Sequence, residues 1–349
     1  MRIWIDCLTP KQLVFYQMLI DRLGRRHRVL FTSRTYGEVA GLARVRGHRP
    51  LIIGRFGGGT PAGKLEAAIS RMGRLLGPVR RFDPDLVVSS TSPDAARIAF
   101  GLGKRHLAFS DAPHETAIMR LVLPLTWKLL TPRIIPKEMF TINGIRASDI
   151  VRYNALDGAV TMKRKVDDSW KLPFRGRGRK ILVRVEEEEA SYARGSEKTA
   201  PLVRRLAADF AGEDIVVLAR YAGQAARLRG IGGARVVTMS HDGIRLLRDT
   251  DVFVGSGGTM TVEAAMMGVP TVSYRPIPNV IDDYLVERRL IERGSTPGSI
   301  SARVRRLLDA PRGARRRRAA RIVAKMEDPF EVFERVITQV KFGGRRPRR

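Results

Sequence analysis

A chain of 349 residues, 44% hydrophobic and 28% charged, has enough apolar surface to build two domains with separate cores. Its single cysteine, Cys7, excludes an internal disulfide and a cysteine-clustered metal site, and no apolar run reaches the ~20 residues of a membrane span. The net charge of +29 is the anomaly of the composition: residues 303–349 hold 16 Lys/Arg against 5 Asp/Glu, and the remainder still carries 48 against 30.

In chain order the N-terminal half alternates strands with helices. Arg2 to Asp6 reads as a buried strand, Thr9-Pro10 as a turn, and Lys11 to Leu23 as a helix with Leu13, Val14, Met18, Leu19 and Leu23 near helical spacing. Strands follow at Arg28 to Thr32, Leu51 to Ile53, Asp85 to Ser89 and His106 to Ser110, with helices at Glu38 to Arg46, Lys64 to Leu76 and Pro93 to Leu102. Strands separated by helices imply right-handed βαβ units and a parallel sheet. Cys7, beside Trp4 and Ile5, is expected to be a half-buried structural thiol.

Residues 115–140 interrupt this rhythm with long apolar side chains, basic residues and three prolines. A strand at Lys128 to Leu130 flanked by loops is the expectation there; the competing reading is a basic, apolar membrane-surface patch. Lys163 to Lys180 is rich in Lys and Arg with Pro173, Gly176 and Gly178, which suits an exposed interdomain linker. A second α/β series has strands at Lys180 to Val185, Ile215 to Ala219 and Arg235 to Val237, with helices at Pro201 to Phe210, Tyr221 to Arg229 and Ile244 to Arg248. The last helix, Glu331 to Val340, aligns Val332, Phe333, Val336, Ile337 and Val340 on one face. The expected layout is a first α/β domain at 1–162, a basic linker at 163–180, a second α/β domain at 181–326, a helix at 327–340 crossing back to the first domain, and a basic tail at 341–349.

The most informative stretch is 252–276, VFVGSGGTMTVEAAMMGVPTVSYRP. A short apolar strand breaks into Gly255-Ser256-Gly257-Gly258-Thr259, continues as a helix to Met267, and returns to a strand after Pro270. Glycines there permit positive φ, and a helix N-terminus offers unpaired amides and a positive dipole end, so diphosphate is a natural occupant. Glu263, four residues past Thr259, lies about one turn along the same face and could accept bonds from two ribose hydroxyls. In doubly wound sheets ligands collect at the carboxyl ends of strands. That rule selects the loops at Asp6 to Pro10, Gly57 to Gly59, Ser89 to Ser92 and Ser110 to Glu115 in the first domain. In the second it selects Arg184 to Tyr192, Arg220-Tyr221, Ser240 to Asp242 and Gly255 to Thr259.

The pattern at 255–270, with Gly255, Ser256, Gly257, Gly258, Thr259, Glu263, Gly268 and Pro270, resembles the nucleotide-binding motif of GT-B glycosyltransferases and of non-hydrolysing UDP-N-acetylglucosamine 2-epimerases. With the start at Met1 to Asp6, Thr32 to Gly37, and Leu123-Pro124 through Thr131-Pro132, the chain more closely resembles a largely archaeal domain-of-unknown-function family of that superfamily. The resemblance implies an α/β protein of two Rossmann-like doubly wound parallel-sheet domains facing a cleft, with a UDP-sugar held mainly by the second. It places phosphate at Ser256, Gly257, Gly258 and Thr259 and ribose at Glu263.

The departures bear on chemistry. The epimerases carry an Asp after the fourth strand, where this chain has Ser89-Ser90-Thr91, and a His-Arg-Glu-Asn type segment where Arg184 to Glu189 stand here; only Asp111 to Glu115 resembles their remaining catalytic segment. Transfer of a sugar to an acceptor is therefore the expected reaction, with Asp111, His114 or Glu115 as base, Arg184 in the nucleotide-sugar site, and Arg220, His241 or the Ser256 to Thr259 amides stabilising the departing diphosphate. Sugar epimerisation is the alternative. No cofactor and no metal site are expected, although Glu186 to Glu189 could hold Mg²⁺. Nucleic-acid binding through the basic tail is a third reading, and an anionic membrane surface a further candidate partner. A leader-like basic and apolar start is lacking, which places the expected protein in the cytoplasm.

Overall fold

The computed structural model describes residues 1–36, 49–166, 171–186, 199–220, 222–238, 242–274 and 279–340. The expected helix at Glu38 to Arg46 and the tail at 341–349 lie outside them. The chain divides into two compact units, one of residues 1–155 together with the segment from Glu327 onward, the other Leu156–Met326.

The first unit is built on a seven-stranded sheet of β1 (Arg2–Asp6), β2 (Arg28–Thr35), β3 (Leu51–Arg55), β4 (Leu86–Ser89), β5 (Arg105–Phe109), β6 (Lys128–Pro132) and β7 (Ile150–Tyr153), in the order β3-β2-β1-β4-β5-β6-β7. Every neighbouring pair is parallel. Such strands are covered on both faces, which is why Leu86-Val87-Val88 reads as an unbroken apolar run and is fully buried. The crossover helices are α1 (Pro10–Leu23), α2 (Pro61–Phe82), α3 (Pro93–Gly101) and α4 (Thr116–Val122), followed by a short α5 (Glu138–Thr141). Residues 115–140 are therefore not a strand flanked by bare loops: α4, the 3-10 turn Leu123–Leu125 and α5 surround β6, and they bury Met119, Leu123 and Phe140 together. α2 runs past the expected Leu76 and through Pro78, because Arg71, Leu75 and Val79 continue its buried stripe; it stops at Asp83 in the left-handed conformation.

The second unit carries a six-stranded parallel sheet of β8 (Lys180–Arg184), β9 (Asp214–Ala219), β10 (Ala234–Thr238), β11 (Val252–Gly255), β12 (Thr271–Ser273) and β13 (Glu292–Arg293), ordered β10-β9-β8-β11-β12-β13. Its helices are α6 (Asp157–Thr161), α7 (Thr199–Asp209), α8 (Ala222–Arg229), α9 (Gly243–Arg248), α10 (Thr259–Met266), α11 (Val280–Glu287), α12 (Pro297–Asp309) and α13 (Gly313–Val323). The division falls ahead of 162 because α6 belongs to this unit: a Cβ on Gly158 would meet Val262 Cβ at 2.7 Å, so the glycine lets α6 lie directly on α10. The basic segment 163–180 is not uniformly exposed either. Arg164 is buried, Leu172 and Phe174 pack on the core around Phe253, and the amides of Arg175 and Gly176 each donate to Asp214 at 2.6 Å.

The last helix, α14 (Pro329–Ile337), belongs to the first unit. Its approach is tied by a reciprocal pair, Glu327 N–H to Asn154 O at 2.9 Å and Asn154 N–H to Glu327 Oε2 at 2.6 Å. Phe330 and Phe333 then join Phe15, Tyr16, Phe109 and Tyr153 in edge-on and tilted ring contacts.

Candidate functional site

Both sheets reverse their strand order beside the first strand, between β1 and β4 and between β8 and β11. The loops at those two carboxyl edges are the places where a doubly wound sheet leaves room for a ligand.

At the first edge the room is filled. Arg71, from α2, is 1% exposed; it donates to Asp6 through Nη2 at 2.6 Å and Nη1 at 3.1 Å, to Asp94 Oδ2 at 2.8 Å and to Ile53 O at 2.9 Å. Asp6 also accepts from Thr32 Oγ1 at 2.6 Å and Ser92 Oγ at 2.8 Å. Burial opposes the Arg71 charge, but the carboxylates of Asp6 and Asp94 outweigh it and hold the guanidinium well above its ordinary range; burial also raises the Asp94 carboxyl. Cys7, expected half-buried, is fully buried, and burial pushes its thiol up to about 12.

His106 and Ser89 form a second closed network. Thr126 Oγ1 donates to Val122 O at 2.9 Å, so at 3.1 Å it accepts from His106 Nδ1–H; Nε2 then accepts the Ser89 hydroxyl proton at 2.8 Å, while Ser89 Oγ accepts from Ser92 N–H at 3.0 Å. Burial pushes the imidazole down to about 4, so His106 is neutral and serves as a link between strands.

Around this packed floor, α1 gathers the loops. Gln12 accepts from Leu8 N–H at 2.6 Å and donates to Ser90 O at 3.3 Å, Tyr16 OH meets Ser90 Oγ at 2.9 Å, and Lys11 pairs with Asp111. Thr91 is held at φ 52°, a left-handed conformation that non-glycine residues rarely take. Of the three residues expected to act on the acceptor, Asp111 thus faces Lys11, while half-buried His114 and Glu115 sit in the turn that starts α4.

The second edge differs. β11 ends in Gly255; Ser256 is half-buried, and Gly257 at φ 91° and Gly258 at φ 81° lead into α10. Among the described residues no side chain caps this helix, and none has an atom within contact of the position a Gly258 Cβ would take. The amides of Gly257, Gly258, Thr259 and Met260 have no hydrogen-bond acceptor among the described residues, and the buried Thr261 Oγ1 is likewise without one. Tyr274, at the end of β12, donates to Arg184 O at 3.1 Å. Burial raises its phenol pKa, with Thr199, Arg220 and Ser256 acting against that rise and Glu186 adding to it. Arg220 Nε reaches Val185 O at 3.4 Å, and Gln224 bridges Arg220 N–H at 3.0 Å and Glu186 O at 3.0 Å. Arg184, Arg220 and Ser256, chosen from three separate loops, are therefore brought to one edge. His241 and Glu187 to Glu189 lie outside the described residues.

Glu263 is buried, 5% exposed, and among the described residues its hydrogen bonds fall on Oε1, from Thr161 Oγ1 at 2.7 Å and from Arg164. Arg164 Nη2 also binds Asp242 Oδ1 at 2.8 Å, and Asp242 in turn caps α9. Burial opposes the Arg164 charge, and Glu263 and Asp242 together keep its pKa raised. Sequence reasoning missed Arg164, Thr161 and Tyr274, which lie in a supposed linker, a short helix and a strand end. It also missed Arg71, although the spacing Arg71, Leu75, Val79 puts that cation on an apolar helix stripe.

The fold matches solved structures along nearly its whole length. A provisionally assigned UDP-N-acetylglucosamine 2-epimerase from Listeria monocytogenes is similar at a TM-score of 0.75 and 15% identity, covering 96% of this chain and 94% of that one. The S. aureus MnaA-UDP co-structure is similar at 0.72 and 14%, covering 98% and 96%, and the glycotransferase of kitacinnamycin at 0.61 and 17%, covering 97% and 99%. The architecture is thus GT-B-like, two parallel α/β sheets of seven and six strands. In sequence, the uncharacterized protein MJ0665 of Methanocaldococcus jannaschii is 25% identical over 356 residues, covering 97% of this chain and 98% of that protein. The family model described as "Protein of unknown function (DUF354)" matches residues 1–341, and the chain belongs to that family.

Proposed function

We propose that this DUF354 protein is a GT-B-type enzyme that binds a UDP-sugar at the carboxyl edge of its second sheet and transfers the sugar to an acceptor hydroxyl. The observation that carries the reading is the α10 N-terminus, with Gly257 and Gly258 at positive φ and, among the described residues, no side-chain cap, four unaccepted amides and open space beside Gly258. Diphosphate oxygens would take those amides and the Ser256 and Thr259 hydroxyls, with Arg184, Arg220 and His241 as charge partners. Glu263 Oε2, the oxygen not used by Thr161 or Arg164, would meet the ribose. Nucleotide binding is also what the relatives' names record: UDP with MnaA, and dTDP with the glycosyltransferase VinC.

In the transfer, the acceptor oxygen bonds to the sugar's anomeric carbon while the bond from that carbon to the diphosphate breaks. The acceptor proton goes to a base among Asp111, His114 and Glu115, and the charge left on diphosphate meets the α10 amides. Transfer is favoured over epimerisation because removing and returning a C2 proton asks for additional acid/base groups. At the first edge Asp6 and Asp94 are locked on Arg71, and the loop after β4 offers Ser89, Ser90 and Thr91.

Calorimetric titration of the full chain with UDP and UDP-N-acetylglucosamine is expected to show saturable binding; no heat with either overturns the reading. Incubating UDP-N-acetylglucosamine alone in deuterated water is expected to leave C2 unlabelled, and deuterium uptake without an acceptor would establish the epimerase instead.

A further inference from the structure

Three helices of the first unit end around one turn. α3 packs on the Leu123–Leu125 turn, and the chain after α5 abuts it so closely that a Cβ on Gly144 would lie 2.9 Å from Pro124 Cγ. Each helix end leaves one large apolar side chain in solvent: Phe100 is 60% exposed, Leu121 61% and Ile142 75%. Pro124 is exposed between them, with Leu125 and Trp127 half-buried alongside. These are not core residues that failed to pack, because the same segments bury Met119, Leu123, Phe140 and Ile145 on their inner side. An exposed apolar residue on its own is ordinary; six around one turn form a patch.

The rim of the patch is cationic. Residues 97–105, 118–128 and 134–149 carry seven Lys/Arg against two acidic residues, Glu138 and Asp149. Asp149 is already held by Lys128 at 2.9 Å and Arg146 at 3.2 Å. Arg97 and Arg120 are exposed, and Arg105 stacks on Trp127 with its guanidinium carbon 4.7 Å from the ring centroid. Aliphatic tips with a tryptophan at their margin, ringed by long cations that can reach upward from an apolar surface, match the layering of a bilayer interface whose headgroups are anionic. A second copy of the chain fits poorly, since docking the patch on itself would set its cations against each other. Leu121 and Ile142 have no planar face with which to stack a nucleic-acid base.

We propose that this patch, Phe100, Leu121, Pro124, Leu125, Trp127 and Ile142 with its basic rim, docks the first unit on an anionic lipid bilayer. The surface is independent of the nucleotide edge, so its test does not depend on the proposed reaction.

The full chain is sedimented with vesicles of phosphatidylcholine alone or with about 30% phosphatidylglycerol, at about 0.1 M salt. Binding is expected to be at least about tenfold stronger on the anionic vesicles, and the double variant Leu121→Ser/Ile142→Ser to lose about tenfold of it. Arg97→Gln/Arg120→Gln is expected to weaken anionic binding as well. Both pairs are exposed, so unchanged thermal melts verify that the fold is intact. If Leu121→Ser/Ile142→Ser binds like the parent, adsorption comes from the +29 charge alone and the proposal fails. It fails equally if the parent ignores anionic vesicles; dimers by light scattering that this variant dissolves would then assign the patch to a second copy.

Discussion

The two sheets share one strand order around their switch points yet treat that edge in opposite ways. Each unit also buries an arginine between two carboxylates, Arg71 between Asp6 and Asp94, and Arg164 between Asp242 and Glu263. In the first unit both Asp6 oxygens are occupied, by Arg71, Thr32 and Ser92, and the cluster is a sealed floor. In the second, the bonds on Glu263 use Oε1, and the neighbouring helix N-terminus has amides without an acceptor among the described residues. A buried ion pair is weak evidence of stability gained but strong evidence of what removing one partner would cost. Shared topology therefore does not imply shared work: one edge spends its polar groups on itself, and the other holds them in reserve.

That contrast can be tested from its strongest consequence downward. Arg71→Ala leaves Asp6 and Asp94 buried without their counter-charge and is expected to destabilise the first unit by about 3–5 kcal/mol in chemical denaturation. A loss below about 1 kcal/mol would mean that the floor is not sealed.

His106 tests the same floor through pH. Its folded pKa, about 4, lies below the ordinary 6.5, so the unfolded chain binds the proton more readily. Stability is then fully present above about 6.5 and lost as pH falls towards 4, on the order of 3 kcal/mol in all. His106→Asn is expected to flatten that part of the stability–pH curve, and an unchanged curve would show that other groups dominate it.

At the open edge, Gly258→Asp forces a side chain into φ 81° and sets a carboxylate before the α10 amides. UDP affinity should drop by about 30-fold or more, roughly 2 kcal/mol, while the strained backbone lowers stability by about 1–3 kcal/mol without unfolding the second unit, which circular dichroism checks. The smallest effect concerns the sugar of the nucleotide. Glu263 Oε2 can accept two donors, as Oε1 does from Thr161 and Arg164, so dUDP, which lacks one ribose hydroxyl, is expected to bind about tenfold more weakly than UDP. Equal affinities for dUDP and UDP would show that Glu263 does not hold the second ribose hydroxyl.

Much of the architecture was legible because it rests on local pattern. The strand–glycine–helix–strand at 252–273 and the apolar stripe of the last helix are read directly from spacing, and both elements stand where that spacing puts them. Residues 115–140 were misread as a strand with loops because α4 and α5 are too short for helical periodicity to declare itself. The buried Arg164 was hidden more deeply. A cation in a stretch of cations looks solvated, and its burial depends on Glu263 and Asp242, about 80 to 100 residues further along the chain.

By itself the sequence determined two parallel α/β units and a glycine turn built to leave backbone amides exposed, since periodicity, turn chemistry and glycine's freedom act over a few residues. Tertiary structure decided which polar groups are spent and which remain available. Arg71 closing on Asp6, His106 on Ser89 and Arg164 on Glu263 are meetings of distant segments, and each buried charge or hydroxyl takes the partner that the fold brings within hydrogen-bond reach.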